Sequence, residues 1–292
     1  MPNEPWPAGE EAVVAREIVV AGERVRIVES GQPGNFVVLL LHGWGASAYN
    51  FRGVLASLGK AGYHAIAPDL RGHGGSETQF PRDAWSARAM AAWVKHLLDF
   101  LGVDRCVVVG QSIGGAIALD AAAMMPSRVV ALVLLAPIGF TPVRRVVLAR
   151  MFRWLHPSTT PRWIVALILR RIYGHRGRWT ARDLEEYWSP LRRGDVVRAI
   201  LQSVREFDFA PRDPRELTLG DSRLVIRFGE LDRLIPARAA VPHARRFKGA
   251  DVAVLDGVGH VPADEVPDDV AKLIVRVASE VRDQGLRGQT LS

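Results

Sequence analysis

Short runs of aliphatic and β-branched residues recur along this chain of 292 residues, and helix-like segments separate them. A run of about four to eight apolar residues is typical of a strand buried on both faces of a sheet, so each run predicts such a strand. The eight predicted strands are 13–20, 25–29, 36–41, 63–68, 107–109, 129–135, 224–228 and 252–255. Because strands and helices alternate, we predict an α/β protein with a mostly parallel sheet flanked by helices.

A serine turn follows the strand at 107–109. Residues 110–115 read GQSIGG and run directly into an alanine-rich helical segment. A strand, a tight turn and a helix in this order present the hydroxyl of Ser112 above the sheet, with the positive end of the helix behind it. The alternative is an ordinary glycine-rich turn with a surface serine. The small residues after Ser112 favour a nucleophile.

A base and an acid for that nucleophile follow later in the chain. A serine hydroxyl needs a base, and the base needs an acid that orients it. Asp232 lies in the turn after one predicted strand, and His260 lies after the next. Taken alone, Asp232 could cap a helix and His260 could make a structural hydrogen bond, while Glu230 and Asp256 are competing acids. The order of Ser112, Asp232 and His260 on strands that end at one sheet edge predicts a catalytic triad.

An oxyanion hole requires two backbone N–H groups near the nucleophile. Ile113, directly after Ser112, is the first candidate donor. The second is Trp44, which follows the strand at 36–41 and has a glycine on each side that lets the backbone approach a ligand. His42, in the same turn, is more readily explained as a brace for the loop than as a catalytic group.

These motifs together resemble the α/β-hydrolase superfamily, and more narrowly its bacterial serine esterases with a helical lid. The motifs are HGWG at 42–45, DLRGHGGS at 69–76, GQSIGG at 110–115, GELD at 229–232 and GHVP at 259–262. The resemblance implies an eight-stranded α/β-hydrolase fold and the triad, with no metal and no organic cofactor. Substrate is not implied, because this fold hosts many chemistries.

Related groups of the superfamily differ from this chain at three positions. Dehalogenases and epoxide hydrolases of this fold carry an aspartate where Ser112 stands. The carbon–carbon hydrolases of aromatic-ring degradation usually have an aromatic residue where Val261 stands and a different oxyanion loop from the one that contains Trp44. We therefore expect a carboxylesterase-like enzyme, with a carbon–carbon hydrolase as a minority alternative.

The formal net charge of +7 is concentrated in one segment. Residues 139–215 contain sixteen arginines, no lysine and seven acidic residues, a net charge of +9, which leaves −2 for the remainder. The resemblance places a helical lid there, between a core of 1–138 and 216–292. Two helices are predicted in it, a basic amphipathic one at 143–155 and a largely apolar one at 162–172. No nucleic-acid-binding motif accompanies the charge, so we expect no nucleic-acid partner.

The lid also contains four of the eight tryptophans, Trp154, Trp163, Trp179 and Trp188. An apolar inner face predicts a hydrophobic ester substrate, and a basic outer face suggests an anionic lipid surface or an acyl carrier protein as a partner. The candidate substrate-pocket residues are His42, Gly43, Gln111, Trp154 and Val261.

The chain start lacks a secretory signal, no apolar run is long enough to cross a bilayer, and Cys106 is a lone cysteine, so a cytoplasmic location is expected. The same triad also serves thioesterases and lactonases, as well as lyases and cyclases that use no water. A binding protein that kept the fold is the alternative outside catalysis, and the intact motifs disfavour it.

Overall fold

The computed structural model describes residues 6–7, 12–142, 156 and 160–289. Eight strands form one sheet in the order β1-β2-β4-β3-β5-β6-β7-β8. Their bounds are β1 Val14–Val20, β2 Glu23–Ser30, β3 Val37–Leu41, β4 His64–Pro68, β5 Cys106–Gln111, β6 Val129–Leu135, β7 Arg223–Gly229 and β8 Asp251–Leu255. The first two strands pair antiparallel, β2 pairs antiparallel with β4, and all other pairs are parallel. The predicted α/β-hydrolase fold with its mostly parallel sheet is confirmed.

The central strands β3, β4 and β5 are buried along their whole length, as their continuous apolar runs predict. Strand bounds differ from the predicted ones by only one or two residues, and β6 matches them. The largest shifts are of two residues, at the start of β2 and at the end of β5. A tight hairpin causes the early start of β2, because Ala21 and Gly22 both take positive φ values and pair Glu23 with Val20.

Helices cover both faces of the sheet and make up much of the described part of the segment between β6 and β7. Their bounds are α1 Arg52–Lys60, α2 Ala87–Phe100, α3 Ile113–Met124, α4 Arg162–Ile172, α5 Ala181–Trp188, α6 Gly194–Glu206, α7 Ala237–Ala244, α8 Pro262–Glu265 and α9 Pro267–Gln289. Short 3₁₀ helices are Ala48–Phe51, Arg82–Trp85 and Ser189–Arg192. The apolar helix predicted at 162–172 is α4, whereas the basic helix predicted at 143–155 lies outside the described residues.

The segment 139–215, called the insertion below, contacts the core through buried polar side chains. Asp183 of α5 accepts hydrogen bonds from the hydroxyl of Tyr49 at 2.8 Å and the guanidinium of Arg52 at 2.6 Å. Arg52 also pairs with the fully buried carboxyl of Asp264. Removing one partner of a buried ion cluster leaves a charge uncompensated, so these contacts hold α5 in one place on the core. The division into core and lid domains stays a prediction.

The carboxyl ends of β3, β5, β7 and β8 lie at one edge of the sheet, and the predicted site residues follow those ends. Ligands of open parallel sheets bind at this edge, because successive loops leave it in opposite directions. Across the described part of the chain, no helix is long and apolar enough to cross a membrane.

Candidate active site

Ser112 stands between β5 and α3 in a backbone conformation that few residues adopt. Its φ is 56° and its ψ is −116°. Hydrogen bonds on both sides hold this conformation, since the N–H of Ser112 donates to Leu135 and the N–H groups of Gly115 and Ile138 both donate to the Ser112 carbonyl, all at 3.0 Å. The turn is therefore anchored to β6 and to the loop after it.

Glycines beside Ser112 permit close contact of the turn with neighbouring backbone. A Cβ on Gly110 would lie 2.4 Å from the carbonyl oxygen of Gly114, and one on Gly114 would lie 2.1 Å from that of Leu41. Neither distance is compatible with a side chain. The GQSIGG spacing is thus a steric requirement of a helix packed tightly against the end of the sheet.

The three predicted catalytic residues form one line of hydrogen bonds. His260 Nε2 lies 3.0 Å from Ser112 Oγ, and His260 Nδ1 lies 2.7 Å from Asp232 Oδ2. The other oxygen of Asp232 accepts from the N–H groups of Leu234 at 2.8 Å and Ile235 at 2.9 Å. The carboxylate is therefore fixed as an acceptor toward Nδ1–H, which leaves Nε2 of a neutral imidazole to accept the serine proton.

The competing acids that the sequence offered lie elsewhere. Glu230 and Asp256 are exposed, whereas Asp232 is buried at 4% exposure. Glu230 accepts the N–H of Gly257 at 2.8 Å and so closes a turn between neighbouring loops. Neither acid hydrogen-bonds to His260 in the described structure.

The loop that carries His260 is held by the insertion. The N–H of His260 donates to the carbonyl of Ile172 at 2.6 Å, at the end of α4. Glu265 bridges the same two segments, because its carboxylate accepts from Gly174 at 2.7 Å and Gly259 at 2.8 Å. Burial raises the pKa of Glu265 to about 7. The sequence analysis missed this residue, whose only local signal is an acid in an apolar setting after GHVP.

The candidate oxyanion donors lie on both sides of the nucleophile. Ile113 is the first residue of α3, and N–H groups in the first turn of a helix have no acceptor within that helix. Gly43 packs against the nucleophile, since a Cβ there would lie 3.3 Å from Cβ and 3.9 Å from Oγ of Ser112. Trp44 follows Gly43 directly, so its peptide group adjoins the same space. The assignment of the two donors stays a prediction.

His42 and Gln111 make hydrogen bonds that brace the loops around the site. His42 is fully buried, with Nδ1 donating to the carbonyl of Gly43 at 2.7 Å and Nε2 accepting from Leu70 at 2.9 Å. Burial lowers the pKa of His42, which keeps this imidazole neutral. Gln111 donates to Asn50 at 2.8 Å and accepts from Ala263 at 3.3 Å. These contacts support the bracing role for His42 and indicate a similar one for Gln111.

The remaining pocket candidates have different outcomes. Val261 is buried at 5% exposure beside His260 and is the N-cap residue of the short helix α8. Trp154 lies outside the described residues. Pocket roles for His42, Gly43, Gln111 and Val261 stay predictions.

The sequence and the fold were compared with those of known proteins. A family model described as the alpha/beta hydrolase family matches residues 38–273. The 2-hydroxymuconate semialdehyde hydrolase of Pseudomonas putida is 30% identical over 279 residues, which cover 91% of this chain and 95% of the relative. Epoxide hydrolase A of Mycobacterium tuberculosis is 38% identical over 125 residues, which cover 43% of this chain and only 39% of that relative.

A solved structure shows the same fold. The 2-hydroxy-6-oxo-6-phenylhexa-2,4-dienoate hydrolase of Rhodococcus sp. strain RHA1 superimposes with a TM-score of 0.77 at 19% identity. The superposition covers 91% of this chain and 98% of that structure. At this level of identity the likeness concerns the fold alone.

Proposed function

Because this chain belongs to the alpha/beta hydrolase family and is a hydrolase, we propose that it is a carboxylesterase-like serine hydrolase of hydrophobic esters. One observation carries the proposal, the line of hydrogen bonds from Ser112 through His260 to Asp232 at 3.0 and 2.7 Å. A serine stands at the nucleophile position, where epoxide hydrolases of this fold carry an aspartate. This difference favours acyl transfer over epoxide opening.

The proposed reaction has two halves. Ser112 Oγ attacks the ester carbonyl while its proton moves to His260 Nε2, and the imidazolium that forms is stabilised by Asp232. The tetrahedral oxyanion accepts from the N–H groups of Trp44 and Ile113, each worth about 3 kcal/mol in the transition state. His260 then protonates the leaving alcohol, which yields an acyl-enzyme. Water activated by the same imidazole releases the acid and restores the serine.

Substrate class, partners and location remain part of the proposal. Apolar and aromatic side chains of the insertion would select medium-chain or aromatic acyl groups, without a metal or an organic cofactor. The arginine-rich outer face of the insertion would recruit an anionic lipid surface or an acidic carrier protein that presents a thioester. We propose a cytoplasmic location, and thioesters or lactones are compatible with the same machinery.

A second candidate function is hydrolysis of a carbon–carbon bond. The likeness to the 2-hydroxymuconate semialdehyde hydrolase of Pseudomonas putida favours it, since this relative matches along nearly its whole length. Val261 and Trp44 disfavour it, because they depart from the residues usual in such enzymes. An assay with a dienoate substrate of that class distinguishes the two candidates. Cleavage of the carbon–carbon bond is measured as the loss of the absorbance of the dienoate.

The first experiment measures hydrolysis of p-nitrophenyl esters from acetyl to dodecanoyl by wild type and Ser112→Ala. We expect turnover that peaks at one chain length and falls by at least about a thousandfold in the variant, since only the oxyanion hole and binding remain. Cleavage of the dienoate with no ester turnover would favour the second candidate. No turnover on either, with Ser112 unreactive to a fluorophosphonate, would contradict an assembled triad.

A further inference from the structure

The side chain of Trp44 is anchored in the insertion rather than in the core loop that carries its backbone. Its indole Nε1–H donates to Ser203 Oγ at 2.7 Å, and Ser203 lies in α6. Two aromatic rings just beyond that helix pack against it, Phe207 at 6.0 Å and Phe209 at 5.0 Å between ring centroids. These three contacts come from the last turn of α6 and the residues directly after it.

Ser203 is oriented to accept this hydrogen bond. Its hydroxyl donates to the carbonyl of Ile200 at 2.8 Å, which directs a lone pair toward the Trp44 indole. Ser203 is buried at 3% exposure, so water does not compete freely for the bond. A hydrogen bond in such surroundings has a preferred geometry and resists rotation of the indole ring.

The backbone of Trp44 has little intrinsic preference for one orientation. Gly43 and Gly45 flank it, and Gly45 takes a φ of 67°. Glycine allows many backbone conformations, so the peptide groups on both sides of Trp44 depend on other contacts for their direction. The carbonyl side of the Gly43–Trp44 peptide group is held by His42 Nδ1 at 2.7 Å and by the N–H of Ala46 at 3.3 Å, so the indole contacts act from the other side of Trp44.

We propose that Ser203 is a positioning residue for the oxyanion hole: the end of α6 fixes the Trp44 side chain through the indole and, together with the contact of His42 to the Gly43 carbonyl, holds the N–H of Trp44 in place. The inference rests on the proposed serine hydrolase function. Seating the insertion on the core then completes the oxyanion hole, so stabilisation of the transition state depends on the position of α6. An N–H displaced by a few tenths of an ångström loses much of its effect on a developing oxyanion.

The experiment compares Ser203→Ala and Trp44→Phe with wild type on the best p-nitrophenyl ester. A trifluoromethyl ketone with the same acyl chain is the second probe, because it forms a tetrahedral hemiketal that uses the same two N–H groups. We expect kcat to fall about tenfold in both variants, less than the hundredfold or more for loss of a whole donor. The inhibition constant of the ketone should rise by the same factor, while KM stays within twofold.

Two further variants separate positioning from general damage. Ser203→Thr keeps a hydroxyl acceptor and should retain most of the activity. Trp188→Phe is the matched control, since the Trp188 indole also donates within the insertion, to the carbonyl of Thr160 at 2.6 Å. It should leave kcat and ketone affinity unchanged. Binding of the ester to Ser112→Ala, with and without Ser203→Ala, should be equal.

Each outcome decides the inference. Ketone affinity that stays at the wild-type value in Ser203→Ala and Trp44→Phe would overturn it, even if kcat falls. Equal losses in Trp188→Phe would also overturn it, because they would indicate general loosening of the insertion. A wild-type enzyme that neither turns over esters nor binds the ketone would overturn the proposed function, and this inference with it. If wild type turns over esters normally and Ser203→Ala has the kcat and ketone affinity of wild type, this inference is overturned while the proposed function stands.

Discussion

At the residue scale, the site depends on a few side chains whose protonation and direction are set by backbone groups. Ser112 takes a strained positive φ of 56°, a cost of about 1–3 kcal/mol that persists because the hydrogen bonds around the turn hold it in place. Asp232 has one oxygen occupied by two N–H groups and the other turned to His260. The hydrogen bond between Asp232 and His260 Nδ1 selects the tautomer of the imidazole.

Asp232→Asn tests that selection. The amide oxygen would replace the carboxylate oxygen that accepts from Leu234 and Ile235, so the NH₂ group would face His260 Nδ1. Nδ1 must then accept, the ring proton moves to Nε2, and the base toward Ser112 is lost. We expect kcat to fall on the order of 10⁴-fold with the fold retained, measured on the best ester and by circular dichroism.

Glu230→Gln is the matched control for that substitution. It removes the same charge from the same loop, but its carboxylate is exposed and hydrogen-bonds only to Gly257 in the described structure. Activity should stay within twofold of wild type. A comparable loss in both variants would show that the charge of the loop, rather than the tautomer of His260, determines the rate.

At the element scale, the insertion and the loop with His260 are tied together by backbone hydrogen bonds. The end of α4 accepts the N–H of His260, and Glu265 accepts one N–H from each side. Close approach is possible because Gly259 has no side chain, as a Cβ there would lie 2.2 Å from the carbonyl oxygen of Ile172. The base of the triad is therefore held by two elements far apart in the chain.

Glu265 should make stability depend on pH. Burial raises its pKa to about 7 from an ordinary value of 4.5, so the folded protein binds the proton more tightly than the unfolded chain does. The resulting stabilisation is full below about pH 4.5 and is lost as the pH rises through about 7. Relative to Glu265→Gln, which cannot ionise, the free energy of unfolding of wild type should fall between pH 5 and pH 8.

Urea unfolding of both proteins at pH 5 and pH 8 measures this difference. The quantity to compare is the change in free energy of unfolding between the two pH values, which cancels the constant effect of the substitution. A change of equal size in wild type and Glu265→Gln would show that the carboxyl of Glu265 ionises at its ordinary pKa in the fold.

At the scale of the whole molecule, charge is separated between the core and the insertion. The insertion has a net charge of +9 by sequence, against −2 for the remainder. Within it, α4 exposes Arg170 and Arg171 together with the apolar side chains of Trp163 at 59% and Leu167 at 54%. Basic and apolar groups on one exposed helix are typical of a surface that binds anionic lipid.

Vesicles of phosphatidylglycerol test this surface. We expect the protein to bind these vesicles at low salt. At about 0.5 M salt the affinity should fall by about an order of magnitude, since the Debye length there is only about 4 Å. Arg170→Gln with Arg171→Gln should weaken binding by about thirtyfold, at about 1 kcal/mol for each arginine. The control is Arg24→Gln with Arg105→Gln, two exposed arginines of the core, which should bind almost as wild type does.

The vesicle experiment also separates the two proposed partners. Equal weakening by both pairs of substitutions would mean that total charge, and not the insertion, attracts the lipid. No binding at low salt would remove the lipid surface as a partner. A carrier-bound thioester that reacts faster than a simple thioester would then favour the acidic carrier protein.

Much of the molecule was determined by the sequence itself. Runs of apolar residues predicted the strands, because a strand buried on both faces needs such residues at every position. The GQSIGG motif predicted the turn at Ser112, because its geometry excludes side chains at neighbouring positions. These signals are local, and together they predicted that Ser112, Asp232 and His260 lie at one edge of a parallel sheet.

Contacts across the chain were decided only by the tertiary structure. Ser203 lies 159 positions from Trp44 in the chain, and Glu265 lies 91 positions from Gly174. The sequence around Ser203 and around Glu265 does not indicate which distant residues they contact. Their roles arise where the packing of the insertion on the core removes water and leaves each polar group only protein partners within reach. That choice of partner depends on the position of whole elements, which no local pattern in the sequence encodes.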